Sequence, residues 1–311
     1  MKIAILDCST LGDDLSLENI TKLGEADVYE KTGQCDIAKR ISDAEVVVLN
    51  KIKLGENELK NAEKLKLICV TATGYDNVDT DYCAKNGIAV CNVKGYSTDS
   101  VCQLTAAMAL SLACRLGAYD KYSKSGEYTK SGVQNMLSPV YYEMRGKVWG
   151  IIGFGAIGKA VGAVAESLGC SVIYTSRTHG GADLDELLKK SDIISIHVPL
   201  TDETRGMIGK KELDMCEKKP ILINVSRGAV CDEAALADAV LDGRLSGLGV
   251  DVYSKEPFGE DSPYNKLKNC DNAVLTPHMA WGAYEARVRC VNEVAENIKS
   301  FFGGGRKGRV C

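Results

Sequence analysis

Three side chains of complementary chemistry stand just past short apolar runs in the second half of the chain. Arg227 follows ILINVS, Glu256 follows GLGVDVYSK, and His278 closes AVLTPH. A guanidinium can fork onto a carboxylate and polarise the carbonyl beside it. An imidazole can pass a proton near neutral pH. A carboxylate on the far imidazole nitrogen holds the ring and favours its protonated form. Singly, each has a plainer reading: a surface ion pair for Arg227, a helix cap for Glu256, a satisfied turn residue for His278. If the runs are parallel strands, their carboxyl ends open on one cleft, where such groups converge.

A glycine-rich turn supplies the second chemical signal. Gly153-Phe154-Gly155-Ala156-Ile157-Gly158 follows the run VWGII and opens the helical text KAVGAVAESLG. Gly153 permits a tight turn, Gly155 admits a pyrophosphate to the backbone, and Gly158 allows close helix–strand packing. Free N–H groups at the helix start, from Ala156 and Ile157 onward, then meet phosphate charge. The next run, SVIYTS, ends where an Asp or Glu commonly selects NAD through the ribose 2′-OH. Here stand Ser176 and Arg177. No carboxylate repels a 2′-phosphate and a guanidinium is close by, so the site leans toward NADP(H). The plainer alternative leaves Arg177 in solvent and the site indifferent.

These groups need elements to position them. KIAILD (2–7), ADVYEK (26–31), VVVLNK (46–51), LKLICV (65–70) and IAVCNV (88–93) read as strands separated by helical text. A second series runs through 148–155, 171–176, 193–198, 221–226, 245–253 and 273–278. Alternation of this kind predicts an α/β chain with parallel sheets covered by helices on both faces. Residues 98–117 are rich in Ala and Leu, with Met108 among them and no Pro, and predict one buried helix. The polar text after it predicts a surface arm. After His278 an amphipathic helix is expected, then GGGRKGRVC as a loose, solvated basic tail.

Composition bounds the partners. The 311 residues carry 38 Lys+Arg against 42 Asp+Glu, a net charge of −4, which gives no field for a nucleic-acid backbone. The mean hydropathy is −0.09 and no apolar run is long enough to span a bilayer. The apolar part of MKIAILDCST is too short for a signal peptide, so a cytoplasmic protein is expected. Thirteen cysteines are scattered without a CxxC pair, and the expected reading is small buried hydrophobes in a reducing compartment. Only His179, His197 and His278 are available as histidines, and no metal site is expected.

GFGAIG, NVSRGAVCDEAAL, GVDVYSKEP and TPHMAW, in this order, resemble the D-isomer-specific 2-hydroxyacid dehydrogenases. VTATGYDNVD and CNVKGYSTDSV extend the likeness over nearly the whole chain. Within the family, NVKGYSTDSV, KVWGIIGFGAIGKAV and the Asn50-Lys51 pair look most like the glycerate dehydrogenases, also called hydroxypyruvate reductases.

The resemblance implies an inner Rossmann domain, residues 99–281, inserted into an outer flavodoxin-like substrate domain formed by 1–98 and 282–311. It implies that Arg227 binds the substrate carboxylate and carbonyl, that His278 is the acid/base, and that Glu256 is its partner. Asn50 and Lys51, with backbone donors at Gly74 and Tyr75, would serve the substrate from the outer domain. Asp251 would lie near the nicotinamide carboxamide, and Val198 and Pro199 on the adenine side. His197 would be a pocket wall or core residue; His179 receives no role. The implied reaction is reversible hydride transfer between a nicotinamide cofactor and a small 2-oxo acid, without metal. A hinge near 94–99 and 280–283 and a homodimer through residues 98–145 are implied as well. Two alternatives stand beside it. A phosphoglycerate dehydrogenase-like enzyme would want extra cations for the phosphate. An NAD(H)-responsive corepressor of the same fold would usually carry partner-binding extensions.

Overall fold

The computed structural model describes residues 1–311, and the chain divides into two compact units, 1–97 with 281–311 and 98–280. The first unit holds five parallel strands: β1 Lys2–Ile5, β2 Glu25–Val28, β3 Val46–Leu49, β4 Leu67–Val70 and β5 Ala89–Cys91. Their spatial order is β2-β1-β3-β4-β5, the flavodoxin-like order. The period of two explains the near-continuous apolar runs. Ile3, Ile5, Val46, Val48, Leu67 and Cys69 enter one core with the terminal helix Tyr284–Phe302. Ala4, Leu6, Val47, Leu49, Ile68 and Val70 enter another on the opposite face.

The second unit holds β6 Val148–Ile152, β7 Ser171–Ser176, β8 Gly180–Gly181, β9 Ile193–Ile196, β10 Ile221–Asn224, β11 Gly247–Val250 and β12 Ala273–Leu275. Their order is β12-β11-β10-β9-β6-β7-β8, all parallel except the two-residue β8. The chain returns to the far side of β6 at β9, so a topological switch point lies at the carboxyl end of β6. The two-domain α/β architecture and its Rossmann unit match the expectation.

Most strands end earlier than the sequence patterns suggest. β3 stops before Asn50, β9 before His197, β10 before Val225 and β12 before Thr276. The residues with chemistry therefore sit on loops just past the ladder, not within it.

Two expectations are corrected. The helix predicted over 98–117 is two helices, Thr98–Ala113 and Leu116–Lys124, because Arg115 takes a left-handed backbone (φ 55°) and its Nη1 donates to Ser246 O at 3.1 Å. The last residues are not a loose tail. Arg309 bridges Cys91 in antiparallel fashion, Val310 N donates to Val90 O at 2.8 Å, and Asn92 N donates to Gly308 O at 2.9 Å. Val310 and Cys311 also pack on the second core of this unit. The basic composition of the segment hid the apolar Val-Cys end and the unpaired β5 edge that receives it.

Eight of the thirteen thiols sit as small buried hydrophobes, whereas Cys35 is exposed and Cys8, Cys114, Cys270 and Cys311 are half-buried. No disulfide is present, and Cys69, Cys83, Cys91, Cys102, Cys170, Cys216, Cys231 and Cys290 are buried. Burial pushes the Cys91 and Cys216 thiols up to about 11, which keeps them protonated and unreactive.

Val310→Asp places a charge against an apolar cluster and should lower the unfolding free energy by roughly 1–3 kcal/mol. Urea unfolding of wild type and variant measures it; an unchanged midpoint would show that the terminal pairing carries no stability.

Candidate active site

In the second unit the glycine turn follows β6 directly. Gly153 has φ +96°, and a Cβ there would lie 2.8 Å from the His197 carbonyl carbon and oxygen. A Cβ on Gly158 would meet Gly153 O at 2.2 Å, so both positions require glycine on contact grounds. A Cβ on Gly155 would meet nothing within 4 Å. Gly155 is also the N-cap of the helix Ala156–Ser167, with no side chain capping it. The helix start thus presents its N–H groups, including those of Ala156 and Ile157, to open space. An uncapped helix start, bare of side chain at Gly155, fits the pyrophosphate of a dinucleotide.

At the end of β7, Ser176 Oγ accepts from the backbone N–H of Thr178 (3.3 Å) and His179 (3.2 Å). His179 turns its Nε2 to Lys159 Nζ at 3.1 Å and its Nδ1 to Thr178 Oγ1 at 2.8 Å. Arg177 is 74% exposed, with Glu203 Oε2 3.9 Å away. The sequence reading missed Lys159, Thr178, His179 and Glu203 here. Lys159 lies one residue after the glycine motif, which was the available signal. Val198, past the end of β9, packs against the core and approaches Gly153, whereas Pro199 is exposed and its carbonyl accepts from Thr204 Oγ1 at 2.7 Å.

The loops after β10, β11 and β12 interlock. Asn224 ends β10 and clamps the turn after it: its Oδ1 accepts from Ser226 N at 3.0 Å and its Nδ2 donates to Arg227 O at 3.0 Å. Arg227 Nη1 donates to Ser226 O at 2.8 Å. A Cβ on Gly228 would fall 2.1 Å from Tyr253 C, so the Arg227 turn is packed backbone to backbone on the loop that leads to Glu256.

Glu256 is held at both oxygens. Its Oε1 accepts from Tyr253 N at 3.0 Å and its Oε2 lies 2.6 Å from His278 Nδ1. The side chains of His278 and Glu256 are 22% and 33% exposed. With Nδ1 engaged by the carboxylate, Nε2 is the nitrogen through which His278 can exchange a proton. His278 occupies the left-handed backbone region (φ 52°), an uncommon state for a non-glycine residue. Asp251 sets that turn. It is completely buried, and its Oδ1 accepts from Thr276 Oγ1 (2.6 Å) and Met279 N (2.8 Å) while Oδ2 accepts from Ala280 N (2.8 Å). Both oxygens of Asp251 are thus engaged within the protein, around the turn that carries His278.

The first unit presents its own set. Asn50 and Lys51 follow β3, and their backbone N–H groups donate to the buried Asp7 carboxylate at 2.8 and 2.7 Å. Burial pushes the Asp7 carboxyl up, against the lowering effect of those bonds. Asn50 Nδ2 donates to Thr10 Oγ1 at 3.0 Å, and Asn77 Nδ2 donates to the carbonyls of Asn50 and Ile52. Asp7 was not singled out in the sequence, although it stands directly after the first apolar run. Gly74 and exposed Tyr75 lie on the loop after β4, where Tyr75 O accepts from Val78 N at 3.0 Å.

Comparison with known proteins places the chain in a family. Residues 106–280 match the model of the D-isomer specific 2-hydroxyacid dehydrogenase NAD-binding domain. The chain is 42% identical over 270 residues to glyoxylate reductase of Thermococcus litoralis, covering 83% of this chain and 80% of that protein. It is 33% identical over 318 residues to hydroxypyruvate reductase of Blautia hydrogenotrophica, covering 98% of each. Among solved structures it resembles D-lactate dehydrogenase from Aquifex aeolicus complexed with NAD and lactic acid, with a TM-score of 0.86, 30% identity and coverage of 100% and 99%. An uncapped glycine turn at a switch point, a paired histidine and glutamate, and full-length similarity lead to one assignment: the chain belongs to the D-isomer-specific 2-hydroxyacid dehydrogenase family, as a nicotinamide-dependent oxidoreductase.

Proposed function

We propose that this protein reduces a small 2-oxo acid, hydroxypyruvate or glyoxylate, to its 2-hydroxy acid, reversibly. The observation that carries the reading is the 2.6 Å pair of His278 Nδ1 and Glu256, on a loop locked to the one that carries Arg227. The names of the relatives from Thermococcus litoralis and Blautia hydrogenotrophica support this choice of substrate.

A reduced nicotinamide held at the glycine turn would supply the hydride for C2 of the oxo acid. Arg227 forks onto the substrate carboxylate and faces the charge growing on the carbonyl oxygen. His278, protonated at both nitrogens, gives its Nε2 proton to that oxygen. Glu256 keeps the ring oriented and stabilises the imidazolium before transfer. In the reverse direction the neutral imidazole takes the hydroxyl proton. Gly153, Gly155, Ala156, Ile157 and Gly158 are proposed to cradle the cofactor phosphates, and Asn50, Lys51, Gly74 and Tyr75 to be substrate-binding groups of the first unit. The substrate and cofactor domains are proposed to be 1–98 with 282–311, and 99–281. Asp251 is assigned to positioning of the His278 turn, since both its carboxylate oxygens accept from that turn.

His278→Ala should leave affinity for the reduced cofactor nearly intact and lower turnover by about a hundredfold or more. Steady-state rates with hydroxypyruvate, beside fluorescence titration of the cofactor, decide it; near-normal turnover would sink the assignment.

The cofactor reading leans to NADP(H). Arg177 is solvent-exposed and only distantly engaged by Glu203, so it can turn to a 2′-phosphate. A partly solvated charge-assisted pair contributes about 1.5–3 kcal/mol, or roughly a ten- to hundredfold preference. Arg177→Ala should reduce kcat/KM with NADPH and spare NADH. A strong preference of the wild type for NADH would show that other groups set the choice.

We place the protein in the cytoplasm as a homodimer. No single helix is long and apolar enough to cross a membrane. The arm after Leu116–Lys124 exposes Leu137 (75%), Val140 and Tyr142 (66%), an apolar display that a second copy would cover. Light scattering at micromolar concentration should give about twice the chain mass of 33.4 kDa; the mass of one chain would refute the dimer.

A further inference from the structure

Asn50 and Lys51 leave β3 on a loop whose backbone is gripped from both sides. In the sheet of the first unit β3 lies between β1 and β4, all parallel, so the carboxyl ends of the three strands are neighbours. From the β1 side, Asp7 accepts the N–H of Asn50 at Oδ1 (2.8 Å) and that of Lys51 at Oδ2 (2.7 Å). From the β4 side, Asn77 Nδ2 donates to Asn50 O (3.1 Å) and Ile52 O (2.7 Å). One neighbour takes the loop's donors and the other serves its acceptors.

The grip extends to the loop after β4. Asn77 O accepts from Leu54 N at 2.9 Å, and Leu54 O accepts from Asp79 N at 2.9 Å. A parallel bridge between Leu54 and Val78 results, so residues 50–54 are tied to the stretch that follows Gly74 and Tyr75. Thr10 Oγ1 accepts from Asn50 Nδ2 at 3.0 Å and donates to Asp7 O at 2.7 Å. Asp7 and Asn50 are buried, whereas Lys51 is exposed.

An acid is a costly choice for this position. Burial pushes the Asp7 carboxyl up, against the N–H groups of Lys51, Asn50 and Ile52 that favour its charged form. An apolar side chain would avoid that cost, but it would leave the loop's N–H groups without their acceptor. What the carboxylate provides is one fixed course for the backbone past β3.

We propose that Asp7 and Asn77 are positioning residues for substrate binding. Together they fix residues 50–52 in register with the loop of Gly74 and Tyr75, so that Lys51 is presented from a rigid backbone. The proposal rests on the reading of Asn50, Lys51, Gly74 and Tyr75 as substrate-binding groups. Asp7 and Asn77 act through the loop and are assigned no contact with the substrate.

Two variants test the two sides. Asp7→Asn keeps the shape and exchanges one acceptor oxygen for an NH2 group. Asn77→Ala removes both donated bonds and adds no charge. Each should raise KM for hydroxypyruvate about tenfold, keep kcat within about twofold and leave the affinity for NADPH, by fluorescence titration, unchanged. Lost stability has another signature, because a partly unfolded sample lowers kcat and leaves KM in place. Val310→Asp, aimed at the β5 side of the same unit, supplies that comparison. Hydrogen exchange read by mass spectrometry should quicken over residues 50–54 in both variants while β1 and β3 keep their protection. Unchanged exchange over 50–54 would overturn the clamp. Faster exchange with an unchanged KM, or a fall in kcat alone as expected of Val310→Asp, would overturn the role in substrate binding. A wild type that reduces neither hydroxypyruvate nor glyoxylate would instead sink the functional reading, and the exchange experiment would still decide the clamp.

Discussion

The Asp251 carboxylate is the constraint on which the arrangement of the second unit depends. It sits completely buried at the end of β11 and accepts from Thr276 Oγ1, Met279 N and Ala280 N. A buried carboxylate is tolerable only when such donors replace water, and charge-assisted bonds are the strong ones. The donors all come from the turn past β12. That turn must put His278 in a left-handed conformation, which costs on the order of 1–3 kcal/mol for a residue with a side chain. Bonds on both sides of His278 hold the conformation in place. The ring then meets Glu256, whose other oxygen is already fixed by the backbone of Tyr253. Tyr253 in turn donates its hydroxyl to Thr276 O at 2.9 Å, closing the circuit between the loops after β11 and β12.

Backbone contact does the same for Arg227. Gly228 lies against Tyr253 and Ser254 with no room for a side chain, so the turn after β10 cannot slide over the loop after β11. Three residues separated by as many as 51 positions in sequence are thereby mounted on one rigid rim. Short strands contribute to this: each ladder stops just before the residues with chemistry, and those residues bond to neighbouring loops instead.

Much of this was legible in the sequence. Strands buried on both faces wrote themselves as apolar runs, and the glycine spacing located the turn that β6 feeds. Arg227, Glu256 and His278 stood out because each follows such a run. What stayed hidden was pairing over distance. Asp7 and Asp251 look like ordinary acids after strands, and only the fold shows their oxygens meeting backbone N–H groups of other loops. Arg115 breaks a helix that composition favours, since a left-handed residue leaves no mark in an Ala/Leu-rich segment. His179 drew no role from its sequence, because its contact with Lys159 forms only once the helix after the glycine turn lies beside the end of β7.

The terminal residues have a further consequence for the first unit. A parallel sheet ends on strands whose outer amides and carbonyls are unpaired, and such an edge can recruit a foreign strand. On the β5 side, that edge is occupied: Val310 and Cys311 bond to Val90, and Gly308 accepts from Asn92. The chain thus supplies its own decoy strand, running antiparallel to the sheet it terminates, and the side chain of Asn297 anchors the same stretch by donating to Asn92 O at 3.0 Å. Protection of this flank comes from a segment far away in sequence, so that unseating a few residues would convert a closed border into a template for association.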